Sequence, residues 1–91
     1  MSETAEARLK RVAMRSWRRG TKEMDLILGP YADAHLANLP ADRLALYDAL
    51  LGENDQDLYP WMTGAAPAPE RFASLIAEIA DFAWERHRAR S

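Results

Sequence analysis

The chain has no cysteine among its 91 residues and only two histidines, His35 and His87. Disulfides and cysteine-ligated metals are therefore excluded. Because the two histidines are far apart in sequence and nothing else completes a ligand set, we expect no metal site. Apolar runs are short, and none approaches the roughly 20 residues that a membrane-spanning helix needs. These absences favour a small protein without a metal, a disulfide or a membrane span.

The first residues, 1–7, are acidic and contain no apolar run. They also lack the arginine- and serine-rich character of an organelle transit peptide, so we expect neither a secretory signal nor a transit sequence. The sequence therefore predicts a location in the bacterial cytoplasm.

Charge is unevenly distributed along the chain, although its formal net value is only −2. Arginine and lysine crowd the first quarter, and acidic residues dominate between Asp33 and Asp57, where Arg43 is the single Lys or Arg. We expect a molecule with a basic end and an acidic end, which suits electrostatic steering onto a protein partner.

Apolar residues recur at helical spacing almost throughout, which predicts one all-α domain over residues 1–91, a bundle of about five helices. We expect residues 1–7 to be flexible and residues 89–91 to be a frayed tail. The predicted helices span about 4–19, from Thr21 to about Asn38 with a kink or restart at Gly29-Pro30, from Pro40 to Gly52, from Asp55 to Trp61 or Met62, and 69–88.

Two motifs are candidates for function. In the first, Arg19-Gly20-x-x-Glu23, a guanidinium and a carboxylate flank a tight turn, where both could face a partner. A purely structural interpretation also fits, with Gly20 as a helix stop, Glu23 in a first helical turn and Arg19 solvated. From the spacing alone the structural interpretation is favoured, because helix caps of this kind are common.

The second motif is Asp55-x-Asp57-Leu58-Tyr59-x-Trp61. Asp55 suits a helix cap, and the two aromatic residues suit either a core or a binding surface. Paired carboxylates can serve acid–base catalysis or magnesium binding, but no third ligand, nucleophile or phosphate-binding loop accompanies them. The motif therefore predicts no catalytic site.

Together the motifs resemble the succinate dehydrogenase FAD-assembly factors, or flavinylation factors, over about residues 15–61. The string from Arg19 to Leu26, with Leu28 and Tyr31 after it, is similar to the family's central motif, although the family usually has phenylalanine at position 31. The resemblance implies a non-enzymatic factor that binds the flavoprotein subunit of succinate dehydrogenase, with that of fumarate reductase as a further client, and promotes covalent FAD attachment without binding FAD stably itself. Its implied partner-binding residues are Arg15, Arg19, Gly20, Glu23, Asp25, Asp55, Asp57, Tyr59 and Trp61.

The arginines of the first helix recur at steps of three and four residues, so they form one basic stripe. Such a stripe could contact nucleic acid, as in a small antitoxin-like regulator that binds nucleic acid or another protein. The acidic chain has no recognition-helix signature, however, and a solvated or partner-facing stripe is the favoured interpretation. A small enzyme is the weakest alternative, because no catalytic constellation accompanies these residues.

Overall fold

The computed structural model describes residues 3–90, with no account of the Arg90 side chain. Within these residues the chain forms five α-helices and one short 3₁₀ turn, and no strand. The α-helices are α1 (Ala5–Ser16), α2 (Lys22–His35), α3 (Ala41–Leu50), α4 (Asp55–Thr63) and α5 (Glu70–Arg90), and the 3₁₀ turn is Leu36–Asn38. The predicted all-α class is confirmed.

The first helix ends earlier than predicted. Thr4 caps its start by accepting a hydrogen bond from the Ala7 N–H at 3.0 Å, and the helix stops at Ser16. Residues 17–21 then form an irregular loop in which Gly20 has a φ of +103°. Gly20 is therefore a turn residue within the loop, and the prediction that it directly terminates a helix over 4–19 is wrong.

The second helix runs through Gly29-Pro30 without the predicted restart. Its start is as predicted, because the Thr21 side chain accepts from the Met24 N–H. Gly29 has a packing role: a β-carbon built there would lie 2.3 Å from the ring of Trp17. The absence of a side chain at Gly29 thus lets the Trp17 ring lie directly against α2.

The N-cap of the fourth helix lies one residue earlier than predicted. Asn54 occupies the N-cap position, and Asp55 is the first helical residue. Pro60 lies inside the helix, which ends at Gly64 in the left-handed conformation with a φ of +83°. Asp55 is therefore not the cap, and its carboxylate is free to bond elsewhere.

One apolar core joins all five helices. At its centre the Tyr47 hydroxyl hydrogen-bonds Ser16 Oγ at 2.7 Å, and both residues are fully buried. Burial raises the pKa of Tyr47 to about 12. The large side chains with less than 2% exposure are Met24, Leu28, Tyr31, Tyr47, Leu50, Leu51, Leu58, Leu75, Ile79 and Val12.

Part of each terminal segment predicted to be flexible or frayed, 1–7 and 89–91, is helical. Residues 5–7 belong to α1, and residues 89 and 90 belong to α5, while residues 1, 2 and 91 lie outside the described part. Their mobility stays a prediction. Among residues 3–90, no helix is both long enough and apolar enough to cross a membrane.

Candidate protein-binding surface

Arg19 lies inside the molecule, where its guanidinium joins the α1–α2 loop to the α3–α4 loop. It donates to the carbonyl oxygens of Leu51 at 2.5 Å and Glu53 at 2.7 Å, and its Nε lies 3.0 Å from Asp55 Oδ1. The Arg19 side chain is only 9% exposed and that of Asp55 is 16% exposed. The prediction of a solvated Arg19 is therefore wrong, and direct contact of its guanidinium with a partner stays a prediction.

The backbone of the same loop is fixed from the other side by α2. The Arg19 N–H donates to Asp25 Oδ1 at 2.7 Å. Nothing lies within 4 Å of a β-carbon built at Gly20, so a side chain there would be opposed only by the positive φ. Asp25 and Gly20 thus shape the loop, and of these two only the Gly20 position is open to a partner.

Glu23 follows this fixed loop and is exposed in the first turn of α2. It borders a shallow groove between α2 and α4, here called the Glu23 groove. Its lining residues are Thr21, Glu23, Met24, Asp55, Gln56 and Tyr59. Because the loop is anchored at both Arg19 and Asp25, the backbone that carries Glu23 is held in place beside a mainly apolar surface.

The structure divides the second motif between core and surface. Trp61 is partly buried against Phe72, with ring centroids 6.3 Å apart, whereas Tyr59 is 44% exposed and lines the Glu23 groove. Asp57 is exposed in the first turn of α4 but lies outside the groove. Tyr59 is therefore the member of this motif best placed to meet a partner.

The basic stripe of α1 is largely engaged within the molecule. Arg11 donates to both carboxylate oxygens of Asp48, at 2.9 and 2.7 Å, and Arg8 and Arg15 lie 3.4 and 3.7 Å from the same carboxylate. The hydrogen bonds from Arg11 first, and then the charges of Arg11 and Arg8, hold the pKa of Asp48 below its usual range. These three arginines are therefore paired within the molecule while their side chains stay 34–41% exposed, and contact of the stripe with a partner stays a prediction.

Arg15 has a second internal role, because its Nη2 donates to the Leu51 carbonyl at 2.9 Å. It therefore contacts the same carbonyl oxygen as Arg19. Arg18 is the exposed member of the stripe beside Met14. The charge available to phosphates on this face is much smaller than the sequence suggests, and the nucleic-acid alternative loses most of its basis.

Sequence reasoning missed several residues that matter. In the sequence Asp48 is one of several acidic residues, and its ion pairs with the arginines of α1 depend on how α1 and α3 are placed in the fold. Met24 was expected in the core alone, and Gln56 carried no signal. The polar partners of Arg19 include two backbone carbonyls, which no residue pattern reveals.

No group of three metal-ligating side chains occurs in residues 3–90. What the geometry offers is a rigid loop, an exposed carboxylate and an apolar groove with an aromatic wall. Such a surface on a small all-α protein is suited to binding another protein.

The sequence comparisons agree in identifying the family. Residues 10–83 match the family model described as flavinator of succinate dehydrogenase. Mitochondrial succinate dehydrogenase assembly factor 2-A of Drosophila yakuba is 36% identical over 80 residues, covering 86% of this chain and 49% of the relative. Mitochondrial assembly factor 2 of Candida glabrata is 32% identical over 93 residues, covering 97% and 61%.

The chain belongs to the flavinator family of succinate dehydrogenase assembly factors. The matched region, 10–83, is wider than the segment 15–61 that carries the resemblance in the motifs. The chain spans about half the length of the Drosophila yakuba relative and 30% of the Mycosarcoma maydis relative, to which it is 40% identical over 72 residues.

Proposed function

We propose that this protein binds the flavoprotein subunit of succinate dehydrogenase and promotes covalent attachment of FAD to that subunit. The observation that carries the proposal is the anchored loop that presents the exposed Glu23 beside the Glu23 groove, within the string Arg19–Leu26 that resembles the family motif. The proposal includes the flavoprotein subunit of fumarate reductase as a second client, to which FAD is attached in the same way. A bacterial cytoplasmic location remains the prediction from the sequence.

The proposed mechanism is one of positioning. A bond between the flavin and a protein side chain forms only when the reacting groups are held in the correct arrangement, and holding them lowers the barrier without any group from the helper. A factor that binds an immature, open state of the subunit more tightly than the finished state shifts the subunit toward that state. On this view the factor is not an enzyme and does not hold FAD stably.

The site residues take different parts in this mechanism. Glu23, Thr21 and Tyr59 contact the partner directly. Arg19, Asp25 and Asp55 act indirectly, because their hydrogen bonds fix the loop that carries Glu23. Contact roles for Arg15, Asp57 and Trp61 stay predictions from the resemblance.

A gene deletion tests the proposal. Extracts of the deletion strain are run on a denaturing gel, and flavin fluorescence is read at the size of the flavoprotein subunit. We expect the band to be lost, restored by the wild-type protein and not restored by Glu23→Ala. Glu70→Ala is a matched control, since Glu70 is also an exposed glutamate in the first turn of a helix.

An unchanged band in the deletion strain, with the subunit at normal abundance, contradicts the proposed function. Restoration by Glu23→Ala as complete as that by Glu70→Ala contradicts the assigned site while leaving the function in place.

A further inference from the structure

A second apolar groove adjoins the first and is formed by α2, α4 and α5. Trp84, which is 60% exposed, forms one side of this Trp84 groove, and Ile27 and Met62 form its floor. Tyr59 lines both grooves, so the two are continuous across one ring. An exposed tryptophan beside an exposed tyrosine is an uncommon arrangement on a surface without a partner.

The carboxylates are the charged groups that line the two adjoining grooves, so the surface is acidic. The carboxylates that line it are Glu23, Asp55 and Asp81, and no lysine or arginine is among its lining residues in the described part of the chain. Asp55 is paired with Arg19, which leaves Glu23 and Asp81 exposed near opposite ends. An apolar floor with an acidic rim is complementary to an apolar segment flanked by basic residues.

The charged and the aromatic side chain that α5 contributes to the Trp84 groove lie next to each other. Asp81 and Trp84 are three residues apart, so their side chains lie on one face of the helix. The Trp84 ring stacks on His87 one turn later, at a centroid distance of 6.0 Å. This stacking restricts the indole, so less side-chain freedom is lost when a partner covers it.

We infer that the Trp84 groove is a second docking site for the flavoprotein client, and that it takes a client segment in which a large apolar side chain is flanked by lysine or arginine. This inference rests on the proposed function and extends it from the Glu23 groove to α5. A second copy of this chain fits less well, because a two-fold contact would set the same acidic rims against each other.

Binding of the purified flavoprotein subunit, prepared without covalent flavin, tests the inference. Trp84→Ala should raise the Kd about 10- to 100-fold, as for a central aromatic contact. Asp81→Lys should raise it about three- to tenfold in low salt and less in high salt, because a rim charge acts through a screened field. Met14→Ala is the matched control, an apolar side chain 52% exposed on α1, and should stay within about twofold.

The chemistry of the occupant is tested by placing the photo-crosslinker p-benzoylphenylalanine at position 84. We expect it to capture a client peptide with lysine or arginine next to an apolar residue. Capture of a peptide without basic residues would overturn the inferred chemistry.

The outcomes separate this inference from the proposed function. If the wild type binds the client and Glu23→Ala weakens binding, but Trp84→Ala and Asp81→Lys do not, the second docking site is refuted alone. If the wild type does not bind, both ideas fail. If Trp84→Ala instead converts a dimer to a monomer in sedimentation with client binding unchanged, the groove is a self-contact and the inference is refuted.

Discussion

Replacing Arg19 with alanine should destabilise the fold before it affects any partner. The substitution removes the hydrogen bonds to the Leu51 and Glu53 carbonyls and leaves Asp55 without its cation at 16% exposure. Breaking a buried ion pair by removing one partner costs about 3–5 kcal/mol. Since Arg19 keeps 9% exposure and water can reach part of the vacated space, we expect about 3 kcal/mol.

This loss is large for a chain of 91 residues, because small domains are stabilised by only about 5–15 kcal/mol in total. Urea denaturation followed by circular dichroism measures it: with a slope of about 1 kcal/mol per molar, the midpoint should fall by about 3 M. Glu23→Ala, an exposed position, should change the free energy of unfolding by less than about 0.5 kcal/mol.

A double-mutant cycle with Asp55→Ala isolates the ion pair. We expect the two single changes to be strongly non-additive, because both remove the same contact. If Arg19→Ala unfolds within about 0.5 kcal/mol of the wild type and yet loses flavoprotein binding, the internal role is refuted and Arg19 contacts the partner itself.

Two further substitutions test the packing and the charge network. Gly29→Ala should destabilise by about 1–3 kcal/mol despite the better helix propensity of alanine, because the new β-carbon meets the Trp17 ring at 2.3 Å; thermal unfolding measures the change. Asp48→Asn should lower the free energy of unfolding at pH 7 by about 1 kcal/mol, a value reduced by the 38% exposure of the Arg11 side chain. The pKa of Asp48 is lowered in the fold, so its contribution is present above the unfolded pKa of about 4 and is lost as the pH falls below it. Urea midpoints between pH 3 and 7 should therefore depend less on pH in Asp48→Asn.

Each of these expectations has a clear contrary result. Gly29→Ala in a Trp17→Ala background should be neutral or stabilising, and equal destabilisation in both backgrounds would show that the contact with Trp17 is not the cause. A pH profile of Asp48→Asn parallel to that of the wild type would show that Asp48 does not titrate with a lowered pKa.

Local sequence patterns predicted the number of helices correctly but did not predict where every helix begins and ends. The period of apolar residues identified five helices, and Thr21 and Gly64 behave as residues of their type do at helix ends. The end of α1 was misplaced because Trp17 leaves the helix to pack on Gly29, a contact between residues twelve apart. A kink or a restart was expected at Gly29-Pro30 because proline removes a backbone donor, but α2 continues through both residues without a restart.

Helical periodicity predicted the all-α fold, and the resemblance carried by two short motifs indicated the flavinator family, because these signals are local in the chain. The motif also placed Glu23 on an exposed first turn, which follows from its distance to the Thr21 cap. The direction of Arg19, the convergence of α1 arginines on Asp48 and the continuity of two grooves through Tyr59 depend on how the helices pack against one another. Sequence spacing cannot supply these facts, because a charged side chain is free to face solvent or the molecule until another helix presents its partner.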